Sequence, residues 1–315
     1  MSAIAQAPGP AGQTGQPKQP AKATGAQRSA GTTVRVIRQL LRQPAAVFGL
    51  AIVLIVILVA IFAPLLTPYE PSSIEWGNQI TPKSVPGPSA EHLLGLDSFG
   101  SDLMTQIVYG ARQTIVVGVV STGIGVSVGA LLGLIAGGIG GWVDTAIMRL
   151  MDIMLSIPAL LLAVSIVSLM GRSPMAVMVA IGVSQVPIFT RLLRGSLLGE
   201  RRRDYVLAAR SLGLRRPGIV TMEMMPNAAG PLIVQATLML ATAVNSVAAL
   251  SFLGLSTSEP TAAEWGLMLV KAQSRLVSSP LLAFAPGCAI AITALGFTLL
   301  GEALREQLDP KSRPR

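Results

Sequence analysis

The sequence predicts an all-α integral membrane protein with six transmembrane helices, and three observations carry that reading. Of its 315 residues, 51% are hydrophobic and only 12% charged, about half the charged share of an ordinary soluble domain. Apolar runs of roughly 16 to 25 residues recur along the chain, close to the ~20 that a helix needs to cross a bilayer. The arginines gather in one stretch: Arg201, Arg202 and Arg203, joined by Arg191, Arg194, Arg210, Arg215 and Arg216, against only Glu200, Asp204 and Glu223. Such a surplus marks a cytoplasmic loop.

Residues 1–33 are rich in Ala, Gly, Pro and Gln and carry basic but no acidic side chains, the composition of a disordered tail. The first helix is placed in 34–66. Its apolar run, Ala45 to Leu66, is long enough to span and too long for the core of a cleaved signal. Arg35, Arg38 and Arg42 precede it and place the amino terminus inside. Residues 67–111 carry Glu70, Glu75, Glu91, Asp97 and Asp102 against Lys83, as expected of an external loop, with a short helix near its end. His92 is the single histidine; with no cysteine near it, a metal site lacks ligands, and a surface or turn position is expected.

The second span, Gln113 to Gly137, has Gly125, Gly129, Gly133 and Gly137 on one helix face. Such a ladder lets a neighbouring helix approach backbone to backbone. Gly138 to Asp152 reads as a short internal connection in which Arg149 and Asp152 pair. The third span, Ile153 to Met170, is kinked at Pro158 and forms a hairpin with the fourth, Met175 to Thr190, through Gly171-Arg172-Ser173. Ala228 to Leu250 and Leu281 to Leu300 are the fifth and sixth, separated by an external segment with Glu259, Glu264, Trp265, Lys271 and Arg275. Six spans bring both termini to the cytoplasmic side, the second as the tail 311–315.

Between the fourth and fifth spans, Asp204 to Leu212 are mostly helix formers, Gly213 is placed to cap the helix end, and Pro217 suits the first turn of a second short helix that Pro226 closes. Ala208 and Ala209 allow close approach to this backbone. From the residues alone the loop 201–227 is either a docking element for another protein or a helix lying on the lipid surface. Ser184 and Gln185 in the fourth span, and Gln235, Asn245 and Ser246 in the fifth, either line a polar path or bond helix to helix.

The chain carries no phosphate-binding loop and no metal-binding or nucleophilic constellation, so no catalytic residue, metal or cofactor is assigned to it. Its net charge of +9, with three Trp and three Tyr, is explained by membrane topology rather than nucleic-acid binding. Cys288 is the lone cysteine and excludes an intrachain disulfide. A secondary transporter would carry repeated halves and charged or broken helices at mid-membrane, and neither is evident; a simple channel is not excluded by composition.

Several segments together resemble one family. Ala208-Ala209-x-x-x-Gly213, followed by Pro226-Asn227, resembles the "EAA" loop of permease subunits of bacterial ABC importers, with Leu207 where that family usually has an acid. Glu91-His92-Leu93-Leu94-Gly95-Leu96-Asp97-Ser98-Phe99-Gly100-Ser101-Asp102 and Tyr109-Gly110-Ala111-Arg112 are similar to segments of the dipeptide and oligopeptide branch, although Leu96, Ser98 and Ser101 depart from its commoner residues. Ser251-Phe252-Leu253-Gly254-Leu255, Trp265-Gly266 and Leu308-Asp309-Pro310 continue the similarity in order.

The resemblance implies a type I ABC importer fold with its permease core in 112–310, in the bacterial inner membrane. It also implies a coupling role for Asp204, Tyr205, Ala208, Ala209, Gly213 and Pro226. The implied partners are a second, homologous permease subunit, two ATP-binding subunits or one fused ATPase that bind ATP and magnesium, and an extracytoplasmic substrate-binding protein. The segment Glu91 to Asp102, with Asp97 and Asp102, either contacts that binding protein, closes over the outer mouth, or faces solvent. The implied cargo is a dipeptide or oligopeptide, with nickel, glutathione or an opine as alternatives.

Overall fold

The computed structural model describes residues 41–81, 85–257 and 259–308. The expected tails 1–33 and 311–315 lie outside that range. The described elements are α1 Pro44–Ile61, α2 Ala63–Leu66, α3 Leu103–Ile139, α4 Gly141–Ser156, α5 Ala159–Met170, α6 Pro174–Glu200, α7 Asp204–Ser211, α8 Arg216–Phe252, α9 Trp265–Ala272 and α10 Leu281–Leu308. Five helices, α1, α3, α6, α8 and α10, are each long and apolar enough to cross a membrane; α4 and α5 make a sixth span only as a pair bent by 92°.

That bend corrects the expected third span. Pro158 does not kink a helix; it separates two. The residue before a proline is pushed out of the α region, and Ile157 is extended at φ −95°, ψ 128°. What reads as a connection between Gly138 and Asp152 is therefore mostly helix α4. Asp152 pairs with Arg191 of α6 instead of Arg149, and Arg194 holds Asp144 by two bonds of 2.5 and 2.7 Å. Arg191 and Arg194 are accordingly part of α6, which runs ten residues beyond the expected Thr190, and they are spent on tying α4 to it.

The glycine ladder of α3 packs on α6. A Cβ placed on Gly129 would lie 2.6 Å from the Cβ of Phe189, and one on Gly133 2.8 Å from the carbonyl of Thr190, so only glycine permits this approach. The same device joins α1 to α10, where Gly49 and Gly296 face each other's helices. Exposed Leu54, Ile55, Leu58 and Ile61 on α1, with Phe284, Ile292 and Leu295 on α10, give the bundle its apolar exterior. No helix closes at Pro226: α8 passes it by widening into a π-helical turn at Ile219–Met224, the register in which a helix absorbs such interruptions.

Among the described residues, the acidic segment before α3 holds one short helical turn, Gly77–Gln79, and not the expected helix near its end; the long helix α3 begins directly after its N-cap, Asp102. Its Oδ1 accepts from the backbone N–H and hydroxyl of Thr105, both at 2.7 Å, an N-cap.

Candidate functional site

The two ends of α3 carry the arrangements that bear on function. At its C-terminal end, Gly140 (φ +75°) stops the helix and leaves the last carbonyls without intrahelical donors. Arg201 donates to the carbonyls of Gly137 and Gly138, the latter at 3.0 Å, and Arg216 to that of Ile139 at 2.9 Å. Partial burial, together with the nearby Arg216 and Arg210, pushes the Arg201 guanidinium below the usual arginine range. The loop between α6 and α8 is thereby bolted to the end of α3.

The short helix α7 sits on this platform by one face only. Val206 and Ala209 are buried in a cluster with Phe189, Leu193, Leu197, Ile219, Val220 and Met224. Tyr205, half-buried, donates to Glu200 at 2.5 Å and accepts from the Asn227 amide at 3.2 Å, which links the end of α6, α7 and the start of α8. Burial and the Glu200 hydrogen bond hold the Tyr205 phenol above its ordinary pKa. Gly213, at φ +79°, ends α7: its N–H bonds to the carbonyl of Arg210 at 2.9 Å and the Leu214 N–H to that of Ala209 at 3.2 Å, a Schellman closure that needs a left-handed residue.

The other face of α7 is uncovered. Asp204, Leu207, Ala208, Ser211 and Leu212 are exposed, as are Leu214 and Met222 beyond it, and Leu212 reaches 82%. Of the two alanines read from the sequence, Ala208 therefore belongs to the open face and Ala209 to the core. Pro226 is exposed within α8 and terminates nothing.

At the N-terminal end of α3 the acidic motif folds into a closed knot. Gly100, at φ +87°, lies so close to Gly77 that a Cβ would come within 2.3 Å of its nitrogen. Asp97 accepts from the backbone N–H groups of Phe99 and Ser101 at 2.8 and 2.9 Å, and its other oxygen faces the Lys271 ammonium at 3.4 Å. Burial pulls the Lys271 pKa down, against the opposing pull of Asp97. His92 is not at the surface as expected: it is 5% exposed, its Nδ1 is 3.0 Å from Asp102, and Trp76 packs edge-on at 4.6 Å between ring centres. Asp97 and Asp102 are 3% and 4% exposed, so a direct contact of these carboxylates with a binding protein does not fit; they hold the knot to α9 and α3. Trp265 completes the join, donating to the Ile107 carbonyl at 2.9 Å over Gly110, where a Cβ would meet the indole at 2.5 Å.

Comparison with known proteins decides what these ends belong to. Residues 129–314 match the family described as "Binding-protein-dependent transport system inner membrane component", and residues 32–84 match the "N-terminal TM domain of oligopeptide transport permease C". The dipeptide transport system permease protein DppC of Alkalihalophilus pseudofirmus is 41% identical over 88% of this chain and 89% of its own. The chain belongs to this family. The di/tripeptide transport system permease protein DppC of Pseudomonas aeruginosa is 40% identical over 84% of this chain and 87% of its own. The glutathione transport system permease protein GsiD of Pectobacterium atrosepticum is 37% identical, covering 87% and 89%.

Within the permease, the polar span residues divide. Gln185 is 4% exposed in the α3–α6 contact, and neither amide atom has a partner among the described residues; the same holds for the Thr122 hydroxyl. Ser184 and Ser246 bond back to carbonyls of their own helices, at 2.7 Å to Ile181 and 2.9 Å to Thr242. Asn245 is exposed and Gln235 half-buried, so both amides are open to a neighbour that this chain does not supply. No three metal-binding side chains converge among the described residues.

Proposed function

We propose that this permease is one half of the membrane path of an ATP-driven importer of short peptides. In this reading it works with a second permease subunit, separate ATP-binding subunits and an extracytoplasmic binding protein, and the loop 201–227 and both termini are cytoplasmic. The observation that carries the proposal is the one-sided burial of α7. Its inner face is fixed to three spanning helices through Val206, Ala209, Tyr205, Arg201 and Arg216, while Leu207, Ala208, Leu212 and Leu214 remain uncovered. Exposed apolar residues grouped on a charged loop mark a protein or membrane contact, and a helix so braced moves as a unit. A push on the open face is delivered to the ends of α3, α6 and α8 together, and the subunit that pushes supplies the ATP chemistry this chain lacks. The dipeptide, di/tripeptide and glutathione names of the relatives support a peptide cargo, glutathione being itself a modified tripeptide.

The test is the pair Ala208→Glu and Leu212→Glu, with the importer assembled in vesicles. Both positions are exposed, so the permease should insert in normal amounts while the ATPase either dissociates or loses its stimulation by loaded binding protein. Peptide uptake falls at least tenfold in either case. Uptake at the unmutated rate would show that α7 is not the coupling element. Tyr205→Phe, which removes the bridge from Glu200 to Asn227, should retain the ATPase and lower uptake per ATP hydrolysed.

A further inference from the structure

At the end of the molecule away from α7, a cavity of about 550 Å³ opens between the first turns of α3, the start of α6 and the segment leading into α9. Its volume falls in the range of small-molecule sites, and its lining is of mixed charge. Arg112 is exposed into it and makes no hydrogen bond or ion pair among the described residues. Glu259 is exposed beside it, and its carboxylate likewise has no partner among the described residues. Glu264, 5% exposed, is the third charge, and its hydrogen-bond partners are all neutral: Ser251 at 2.8 Å, Ser256, and Gln113 at 3.5 Å, with the Lys271 ammonium acting on it only through space. Such hydroxyl and amide donors fix the carboxylate without neutralising it.

We infer that this cavity is a binding site for short peptides with free ends, Arg112 taking the carboxylate and Glu259 and Glu264 the ammonium. A lone anion placed here meets two carboxylates, and a lone cation meets a guanidinium; a zwitterion satisfies both signs at once. Tyr109, Gln113 and Thr261, which also line it, add uncharged donors and acceptors suited to peptide groups. The cavity reads the ends of the cargo and leaves its side chains unread, and in the topology proposed above it meets the peptide before the spans do. This inference rests on the peptide-import reading.

The experiment uses the permease–ATPase complex in vesicles, with Cys288→Ala and a reporter Ala262→Cys in the cavity wall. Trialanine and N-acetyl-trialanine amide are compared, without binding protein, for their power to slow maleimide labelling of the reporter. Trialanine should protect and the end-blocked peptide should not. Arg112→Gln, and separately Glu259→Gln, should raise the half-protecting concentration about tenfold or more, as expected for loss of one charge-assisted hydrogen bond. Equal protection by both peptides, or protection by neither, overturns the inference. Uptake of labelled trialanine, measured in parallel with binding protein present, separates the two failures. Uptake without protection removes the cavity site alone, whereas no uptake of any di- to pentapeptide removes the cargo reading and the site with it.

Discussion

At the scale of single residues, the Lys271–Asp97 pair shows how a loop is fixed by charges that water does not reach. The side chains are 6% and 4% exposed and 3.4 Å apart, so removing one partner strands the other, at a cost of about 3–5 kcal/mol for a buried pair. Lys271→Met and Asp97→Asn should each lower the midpoint of thermal inactivation in detergent, and the double variant should recover more than half of the combined loss. A double variant as unstable as the sum of the singles would mean that the two groups do not act as a unit. Their pH dependence has a definite sign. Burial is the largest influence on Lys271 and lowers its pKa from the ordinary lysine value, so the folded protein gives up this proton before the unfolded chain does. The contribution of this group rises with pH up to that ordinary value, near 10.4, and the wild type should gain on the double variant as the pH rises through the alkaline range towards it. The sequence shows the acids of this segment but not their use. His92 and Asp102 are ten positions apart, and only the turn through Gly95 and Gly100, both with positive φ, brings them to 3.0 Å. Lys271 reaches Asp97 across 174 positions, a separation that no local pattern encodes.

At the scale of elements, the contact between α3 and α6 makes a graded prediction, because its four glycines are not equally crowded. A Cβ at Gly129 would meet the Cβ of Phe189 at 2.6 Å and a carbonyl at 2.8 Å, whereas at Gly137 the nearest atom is the flexible Cδ1 of Leu197 at 3.0 Å. Gly129→Ala should cost about 1–3 kcal/mol, as overpacking does, and Gly137→Ala distinctly less. Gly123 lies on the open side of the same helix with nothing within 4 Å, so Gly123→Ala should be neutral or gain up to about 1 kcal/mol of helix propensity. Thermal inactivation of the three variants in one detergent gives the order, and a Gly129→Ala variant as stable as Gly137→Ala would mean that the helices separate freely. The ladder is legible in the sequence because its period is local; its partner α6 is not, since packing partners are set by tertiary contacts. The same division holds in the loop. Gly213 and Pro217 stand where turn chemistry places them, but Pro226 does not stop a helix, because packing of Ile219, Val220, Met224 and Ala228 into one cluster keeps α8 continuous through it. That Ala209 is core and Ala208 surface follows from the same cluster and not from their shared size.

At the scale of the whole molecule, the number of crossings decides on which side of the membrane each end of α3 lies. The sequence places the third span at Ile153 to Met170, and the structure divides that region into α4 and α5, bent by 92° at Ile157 and Pro158. A run of hydropathy does not register such a break, since both halves are apolar. If the pair crosses once, six crossings put the loop 201–227 on the same side as the residues before α1, opposite the knot around His92 and the cavity at Arg112. If it does not cross, α3 and α6 would run in opposite directions. Their contacts oppose this. Gly125, Gly129, Gly133 and Gly137 meet Gln185, Phe189, Leu193 and Leu197 in ascending order, so the two helices lie parallel and the chain must return between them. A return across the bilayer falls to α4 and α5, with Asp144 and Asp152 neutralised by Arg194 and Arg191. Parallel neighbours therefore require the pair to act as one crossing, and the arginines of 201–216 support the cytoplasmic side proposed for that loop. Single reporters Ser72→Cys, Ser211→Cys and Ser274→Cys, each in a Cys288→Ala background, test this with a membrane-impermeant maleimide. The three positions are exposed. In intact cells with a permeabilised outer envelope, the reporters at 72 and 274 should label at once and that at 211 only after the inner membrane is broken. Labelling at 211 in intact inner membrane would invert the topology and place α7 where no ATPase can reach it.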